Sequence, residues 1–307
     1  MKNPEIEKNT DVVIGLIFVL IGAICFSAKA IFIKLAYAYG AHVDALSLIM
    51  LRMVIALPFF LLVAFINQQS SEQTSISMKE WIAIIFLGII GYYLASLFDF
   101  MGLELISAGL ERIILFLYPT FVVLLSAVFL KRKINRLEIF ALLLSYAGIT
   151  FVVIDQIEEN SEGMIRGIIY IVISAFTFAI FLMGSGEMTK RIGATRFTAY
   201  AMSISCFVTI MHYCFSYGFS APEFEIDVYY LAFLIAIIST VIPAFLMNAG
   251  IRRVGASKAS IISSIGPIST LFMAYVFLGE QITFIQMVGT VLVILGVCFV
   301  SRSKTNS

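Results

Sequence analysis

The chain has 307 residues, of which 61 % are hydrophobic and 13 % charged, with a formal net charge of +1. An ordinary soluble domain carries about 25 % charged residues, so this composition excludes one. The longest polar stretches, around residues 67–80 and 155–166, are only loop-sized and leave no room for a solvated domain.

In chain order, the apolar pattern predicts ten spans, at 12–37, 45–66, 81–101, 108–130, 137–154, 167–186, 197–217, 228–248, 257–278 and 282–300. Each is close to the roughly 20 helical residues that cross a bilayer. The first is longer than a signal-peptide core and lacks a small-residue cleavage site, so it reads as a span. It carries Gly15, Gly22, Ala23 and Ala28, which permit close helix approach, and then Lys29 and Lys34. The second span contains Arg52. The third contains Gly88, Gly91 and Asp99, and the fourth Glu111, Arg112, Tyr118 and Pro119. In the second half, Ser260, Ser263, Ser264 and Pro267 fall in the ninth span. Trp81 and Tyr229–Tyr230 stand at span ends, where aromatic anchoring is the better reading. Cys25, Cys206, Cys214 and Cys298 lie in apolar runs without metal-ligand spacing and read as small core residues.

A shift of 148 residues superposes Gly102 on Gly250, Pro119 on Pro267 and Gly148 on Gly296, with 13 identities over 51 gap-free positions. Two repeats are therefore expected, at 12–154 and 163–301. Five spans per repeat is an odd number, so the second copy enters from the opposite face: an all-α integral membrane protein of two inverted five-helix repeats. Charge supports this orientation. Of the 20 Lys and Arg residues, fifteen fall on the side of the two termini, one (Arg166) falls opposite, and Lys29, Lys34, Arg52 and Arg112 lie within spans. That bias puts both termini in the cytoplasm of a cell that holds the protein in its (inner) membrane.

Particular stretches carry a family likeness. "FSAKAIFIKLAY" (Phe26–Tyr37), Leu51–Arg52, "SAGLERIILFLYP" (Ser107–Pro119), "GASKASIISSIGP" (Gly255–Pro267) and "FLGEQIT" (Phe277–Thr283), with the basic hinge Lys131–Arg136, resemble EamA-type members of the drug/metabolite transporter superfamily. The resemblance covers nearly the whole chain and implies a metabolite carrier. Its members move amino acids, sugars, nucleotide-linked compounds and drugs. The first half departs from the plainer pattern, with Glu111–Arg112 where the second has Ala259–Ser260.

Two constellations are candidate machinery. Pro119 and Pro267 each remove a donor and crowd the carbonyl four residues back, at Leu115 and Ser263. Matched breaks in inverted halves point to a substrate site; a packing kink is the alternative. The second constellation is Lys29, Lys34, Arg52, Asp99, Glu111 and Arg112, all in the first half. Each costs about 2.5–3.5 kcal/mol at mid-bilayer, so they should face inward and pair. Lys34 and Asp99 fall near the outer surface, where snorkelling explains them. Lys29 and Arg52 lie deeper. Four cations against two carboxylates leave two formal positive charges, suited to an anionic substrate group. The expectation is that Lys29 or Arg52 meets substrate while Asp99 and Glu111 hold the cations, Glu111 also exchanging a proton; a purely structural ion-pair network is the alternative. Phe26, Tyr92, Tyr93, Phe98 and Tyr118 could line a cavity, and Ser263 offers a neutral partner.

Other chemistry is missing from the pattern. There is no phosphate-cradling Gly-Lys-Ser/Thr loop, and His42 and His212 have no partner at metal spacing. No metal, cofactor, catalytic residue or nucleic-acid partner is expected. The reading is a secondary, non-ATP transporter of a small metabolite by alternating access; export or exchange of amino acids or related metabolites rests on the resemblance alone. Its partners are a small-molecule substrate and the lipid bilayer, with a proton as candidate coupling ion and a homodimer as candidate assembly. An integral-membrane enzyme on a lipid-linked substrate is the alternative, and a membrane-embedded interaction protein a third.

Overall fold

The structure, a computed structural model, describes residues 4–68, 75–129, 131, 134–156 and 161–303. Met1, Lys2, Arg132, Lys133, Lys304 and Ser307, used above to orient the chain, lie outside them, as does 157–160 of the acidic loop. The side chain of Ser260 is likewise outside the description.

Every regular element among the described residues is helical, as lipid requires of a chain whose backbone groups find no water. The first half comprises α1 (Pro4–Tyr37), α2 (Ala45–Gln68), α3 (Met78–Gly88), a π-helical turn (Ile89–Leu94), α4 (Ala95–Leu105), α5 (Ala108–Leu115), α6 (Tyr118–Phe129) and α7 (Arg136–Gln156). The second comprises α8 (Ser161–Ile192), α9 (Ala194–Tyr217), α10 (Ile226–Ala236), a π-helical turn (Ile237–Val241), α11 (Ile242–Val254), α12 (Ala256–Ser263), α13 (Ile265–Met273), a third π turn (Ala274–Leu278) and α14 (Phe284–Ser303).

Element starts recur at the same offset. α3 and α10, the first two π turns, α5 and α12, and α7 and α14 each begin 148 residues apart. Capping recurs with them. Asn135 and Glu138 exchange side-chain bonds with each other's backbone N–H at 2.8 and 3.0 Å before α7. Thr283 and Gln286 do the same at 3.1 and 3.2 Å before α14. These are reciprocal capping boxes, each satisfying two otherwise orphaned donors.

Packing between the halves is reciprocal. α2 lies on α9 and α7 on α14, each on its counterpart; α5 lies on α13, the counterpart of α6; and α1 lies on α11 and α4 on α8. Small residues permit the last two contacts. A Cβ on Gly250 would stand 2.5 Å from Val19 Cγ2 and 2.9 Å from the Gly15 carbonyl. One on its repeat-mate Gly102 would collide with Ile171 and stand 3.2 Å from the Gly167 carbonyl.

Eight helical stretches are long and apolar enough to cross a membrane: Asp11–Tyr37, Ala45–Ile66, Met78–Leu105, Ala108–Phe129, Arg136–Ile154, Gly163–Ile192, Ala194–Tyr217 and Ile226–Val254. Two further apolar helices, Ile265–Leu278 and Phe284–Phe299, are shorter, so the expected ten is not reached by length among the described residues. In the ninth stretch the helix stops at Ser263 and restarts at Ile265, ahead of Pro267.

Candidate functional site

α4 organises the charged interior. Ser96, Asp99 and Phe100 are spaced at i, i+3 and i+4, so they share one face of this helix. Lys29 of α1 donates to Asp99 Oδ2 at 2.5 Å and lies 3.9 Å from Glu111 Oε1 of α5. All three are almost completely buried, with Glu111 at 0 % exposure. Asp99 Oδ1 and both oxygens of Glu111 have no hydrogen-bond donor, although both carboxyl groups face the same Lys29 ammonium.

The arginines are held differently. Arg52 of α2 donates through Nη2 to Ser96 Oγ at 3.0 Å and sits 5.1 Å from the Phe100 ring centre. Arg112 donates to Ser27 Oγ at 3.3 Å and lies 5.4 Å from the rings of both Phe26 and Phe116. Cation–π attraction to these aromatic faces is worth about 2 kcal/mol when desolvated. Neither guanidinium has a carboxylate within ion-pairing distance among the described residues, and each Nε lacks a partner. Of the cations expected to be held by Asp99 and Glu111, Lys29 lies within ion-pairing distance of them and the two arginines do not. Serine hydroxyls and rings meet these guanidinium groups where no carboxylate is within ion-pairing distance.

The second half closes the site with small and neutral groups. Ser27 Oγ donates to the Gly266 carbonyl at 3.1 Å, and Thr270 Oγ1 to the Ser27 carbonyl at 3.4 Å. Gly266 is the repeat-mate of Tyr118, and a Cβ there would stand 2.5 Å from Arg112 Nη2. The absent side chain makes the space the guanidinium occupies.

Lys34 and Asp99 do not snorkel. Asp99 is 2 % exposed, and Lys34 Nζ donates to the Leu103 and Ile106 carbonyls at 3.1 and 3.0 Å. α4 ends at Leu105, and its last carbonyls lack helical donors, which draws the ammonium inward. The start of α5 is tied across the halves: Glu280 accepts from the Ala108 and Gly109 N–H groups at 2.9 and 3.2 Å.

Pro119 and Pro267 stand in the first turns of restarted helices, α6 and α13, so neither interrupts a continuous ladder. Between α5 and α6 the chain makes a tight turn, Leu117 N–H to the Ile114 carbonyl at 2.9 Å. Tyr118 packs edge-on against Phe116 and Phe178, at 5.8 and 5.3 Å between ring centres. The Ser263 hydroxyl turns back to the Ala259 carbonyl of its own helix at 2.8 Å, away from the charges. A cavity of about 400 Å³, lined by Leu35, Ala38, Tyr39, Asp227, Tyr230 and Leu231, includes none of these charged groups. At that end of the bundle His42 meets Glu225 at 3.1 Å. Glu225's own backbone N–H and then the His42 ring hold its carboxyl below the ordinary value of 4.5. Among the described residues no three His, Cys, Asp or Glu side chains come together as a metal site.

Ser27, Ser96, Gly266 and Glu280 were missed in the sequence as site residues. Glu280 carried a faint signal as an acid in a short apolar-flanked turn; the others look like ordinary small residues of packed spans.

Serial apolar helices surrounding a buried set of ionisable groups define a multi-pass membrane protein with a polar interior. Residues 13–154 and 165–302 each match the EamA-like transporter family, and the chain belongs to it. It is 33 % identical over 293 residues to the uncharacterized transporter YcbK of Bacillus subtilis (strain 168), covering 94 % of this chain and 93 % of that one. An uncharacterized transporter of Archaeoglobus fulgidus is 24 % identical, over 83 % of this chain and 87 % of its own. One solved crystal structure superposes with a TM-score of 0.64 at 14 % identity, covering 97 % of this chain and 98 % of that chain, a likeness of fold alone. The protein is a multi-pass membrane transporter.

Proposed function

We propose that this chain is a secondary carrier that moves a small metabolite bearing an anionic group, by alternating access between two inverted halves, 12–154 and 163–301. Ten bilayer crossings, both termini in the cytoplasm and residence in the cell (inner) membrane complete the reading. One observation carries the substrate preference. Arg52 and Arg112 are buried at 4 % and 5 % exposure, yet neither has a carboxylate partner among the described residues. Buried charges in a membrane interior are expensive and mark pathways by default. A substrate carboxylate or phosphate would supply the missing counter-charge. Arg112 is the better seat, because its surroundings come from both halves, Ser27 and Phe116 from the first and Gly266 from the second.

The reciprocal packing of the halves supports a rocking motion. Equivalent helices meet equivalent helices, so an exchange of inward- and outward-facing states needs no new kind of contact. The matched breaks before Pro119 and Pro267 are the proposed bending points; alanine at both, in a folded protein, should slow transport. Export or exchange of amino acids or related metabolites is the reading favoured by family membership.

The test is a thermal-shift screen of carboxylate- and phosphate-bearing metabolites on purified protein, followed by flux in liposomes. A preferential ligand raises the melting temperature. Arg112→Ala should lose that shift, and the solute should cross chemically unchanged. Unaltered affinity in both Arg52→Ala and Arg112→Ala would remove the anion site, and formation of a product would replace the carrier with an enzyme.

A further inference from the structure

Asp99 and Glu111 bring two carboxyl groups together opposite a single ammonium. Lys29 is committed to Asp99 at 2.5 Å and stands off Glu111 at 3.9 Å. Both Glu111 oxygens and Asp99 Oδ1 lack a donor, and Glu111 is fully buried. The charged groups acting on Glu111 are Asp99 from α4, Lys29 from α1 and Arg112 from its own helix α5. Arg112 is turned to Ser27 and two rings, and Glu280 acts at the other end of α5, on Ala108 and Gly109. Two buried carboxylates facing one ammonium disfavour each other's ionised form, so the one left without a close counter-charge takes up a proton.

We propose that Asp99 and Glu111 form a proton-binding site, in which Glu111 carries the proton while Lys29 neutralises Asp99. Water is the donor and acceptor: one O–H bond forms on Glu111 when the site loads and the same bond breaks when it empties. The Lys29–Asp99–Glu111 group then goes from a formal charge of −1 to 0. With Arg52 and Arg112 added, these five groups rise from +1 to +2, so proton loading strengthens the hold on an anion. A monoanion and a proton carried together move no net charge across the membrane potential, which sets the electrical work of that step to zero. The coupling role rests on the carrier reading above; the bound proton does not. In the second half Ala259 replaces Glu111 and Met247 replaces Asp99, so the repeat supplies no second site of this kind.

Infrared difference spectroscopy of the full chain in liposomes at neutral pH tests this without any substrate, using the C=O band of protonated carboxyl groups. The wild type should show that band, and Glu111→Gln should abolish its Glu111 component, because Asp99 paired with Lys29 stays ionised. Lys29→Met should roughly double that component, since both acids then need a proton. A wild-type protein without the band, or a Glu111→Gln protein with the band intact, overturns the proposal. If Glu111→Gln does not fold, an unchanged band in Lys29→Met overturns it equally. Anion flux with no proton band would sink this site and leave the carrier standing; a proton band with no flux would do the reverse.

Discussion

Arg112 and Gly266 belong to opposite halves, and the guanidinium of one occupies the volume that a side chain on the other would fill: a Cβ at 266 would stand 2.5 Å from Arg112 Nη2. The relationship makes Gly266→Ala a specific probe. The added methyl should displace a guanidinium already held by Ser27, Phe26 and Phe116, with an overpacking cost of about 1–3 kcal/mol. Thermal unfolding of G266A, R112A and the double variant should show the two changes coupling by about 0.5–3 kcal/mol. Simple additivity would mean the two residues do not meet.

Lys29 and Asp99 form the tightest ion pair of the interior. Removing only one partner leaves the other without its counter-charge or forces it to neutralise, which costs about 3–5 kcal/mol. Lys29→Met and Asp99→Asn should each lower the melting temperature, and the double variant should recover most of the loss. A double variant as unstable as the worse single one would place the pair outside the stability-determining interior.

Glu280 caps α5 from the other half through two backbone N–H groups. Glu280→Ala should destabilise by about 0.5–2 kcal/mol, the usual worth of a helix cap. Glu280→Gln, which keeps an acceptor oxygen, should cost less. Equal melting temperatures for wild type and Glu280→Ala in detergent would show that the cap is not formed.

Gly102 and Gly250 make the same close approach at equivalent places, against Gly167 and Ile171 in one case and Gly15 and Val19 in the other. Gly102→Ala and Gly250→Ala should therefore destabilise alike, each by about 1–3 kcal/mol through overpacking. A large cost at one position and none at the other, measured by thermal unfolding, would break the equivalence of the two interfaces.

Much of the architecture was legible because the repeat is written in the residues that packing constrains most. Gly102 and Gly250 coincide under the shift because the same helix approach is needed twice, and Pro119 and Pro267 because the same helix restarts twice. The ionised interior was legible for a different reason: Lys29, Arg52, Asp99, Glu111 and Arg112 are conspicuous in apolar surroundings. Their partners were not. Ser27 and Ser96 look like any small residue in a packed span, and Gly266 acts through the absence of atoms, which composition cannot report. Depth counting also misjudged Lys34 and Asp99, because it assumed that a charge near a helix end seeks water. The open carbonyls at the end of α4 and the Lys29 ammonium offer nearer partners. The twin π turns left no sequence signal at all, since an extra residue in a helical turn changes backbone registry without demanding a residue type.

Ser27 reaches Gly266 across 239 residues of chain. A ribosome delivering this polypeptide therefore releases Arg112 and Ser27 long before the segment that packs against them exists. Nascent first halves must wait, ionised and half-covered, until α13 arrives. Truncation anywhere before that helix should yield fragments that membrane quality control removes.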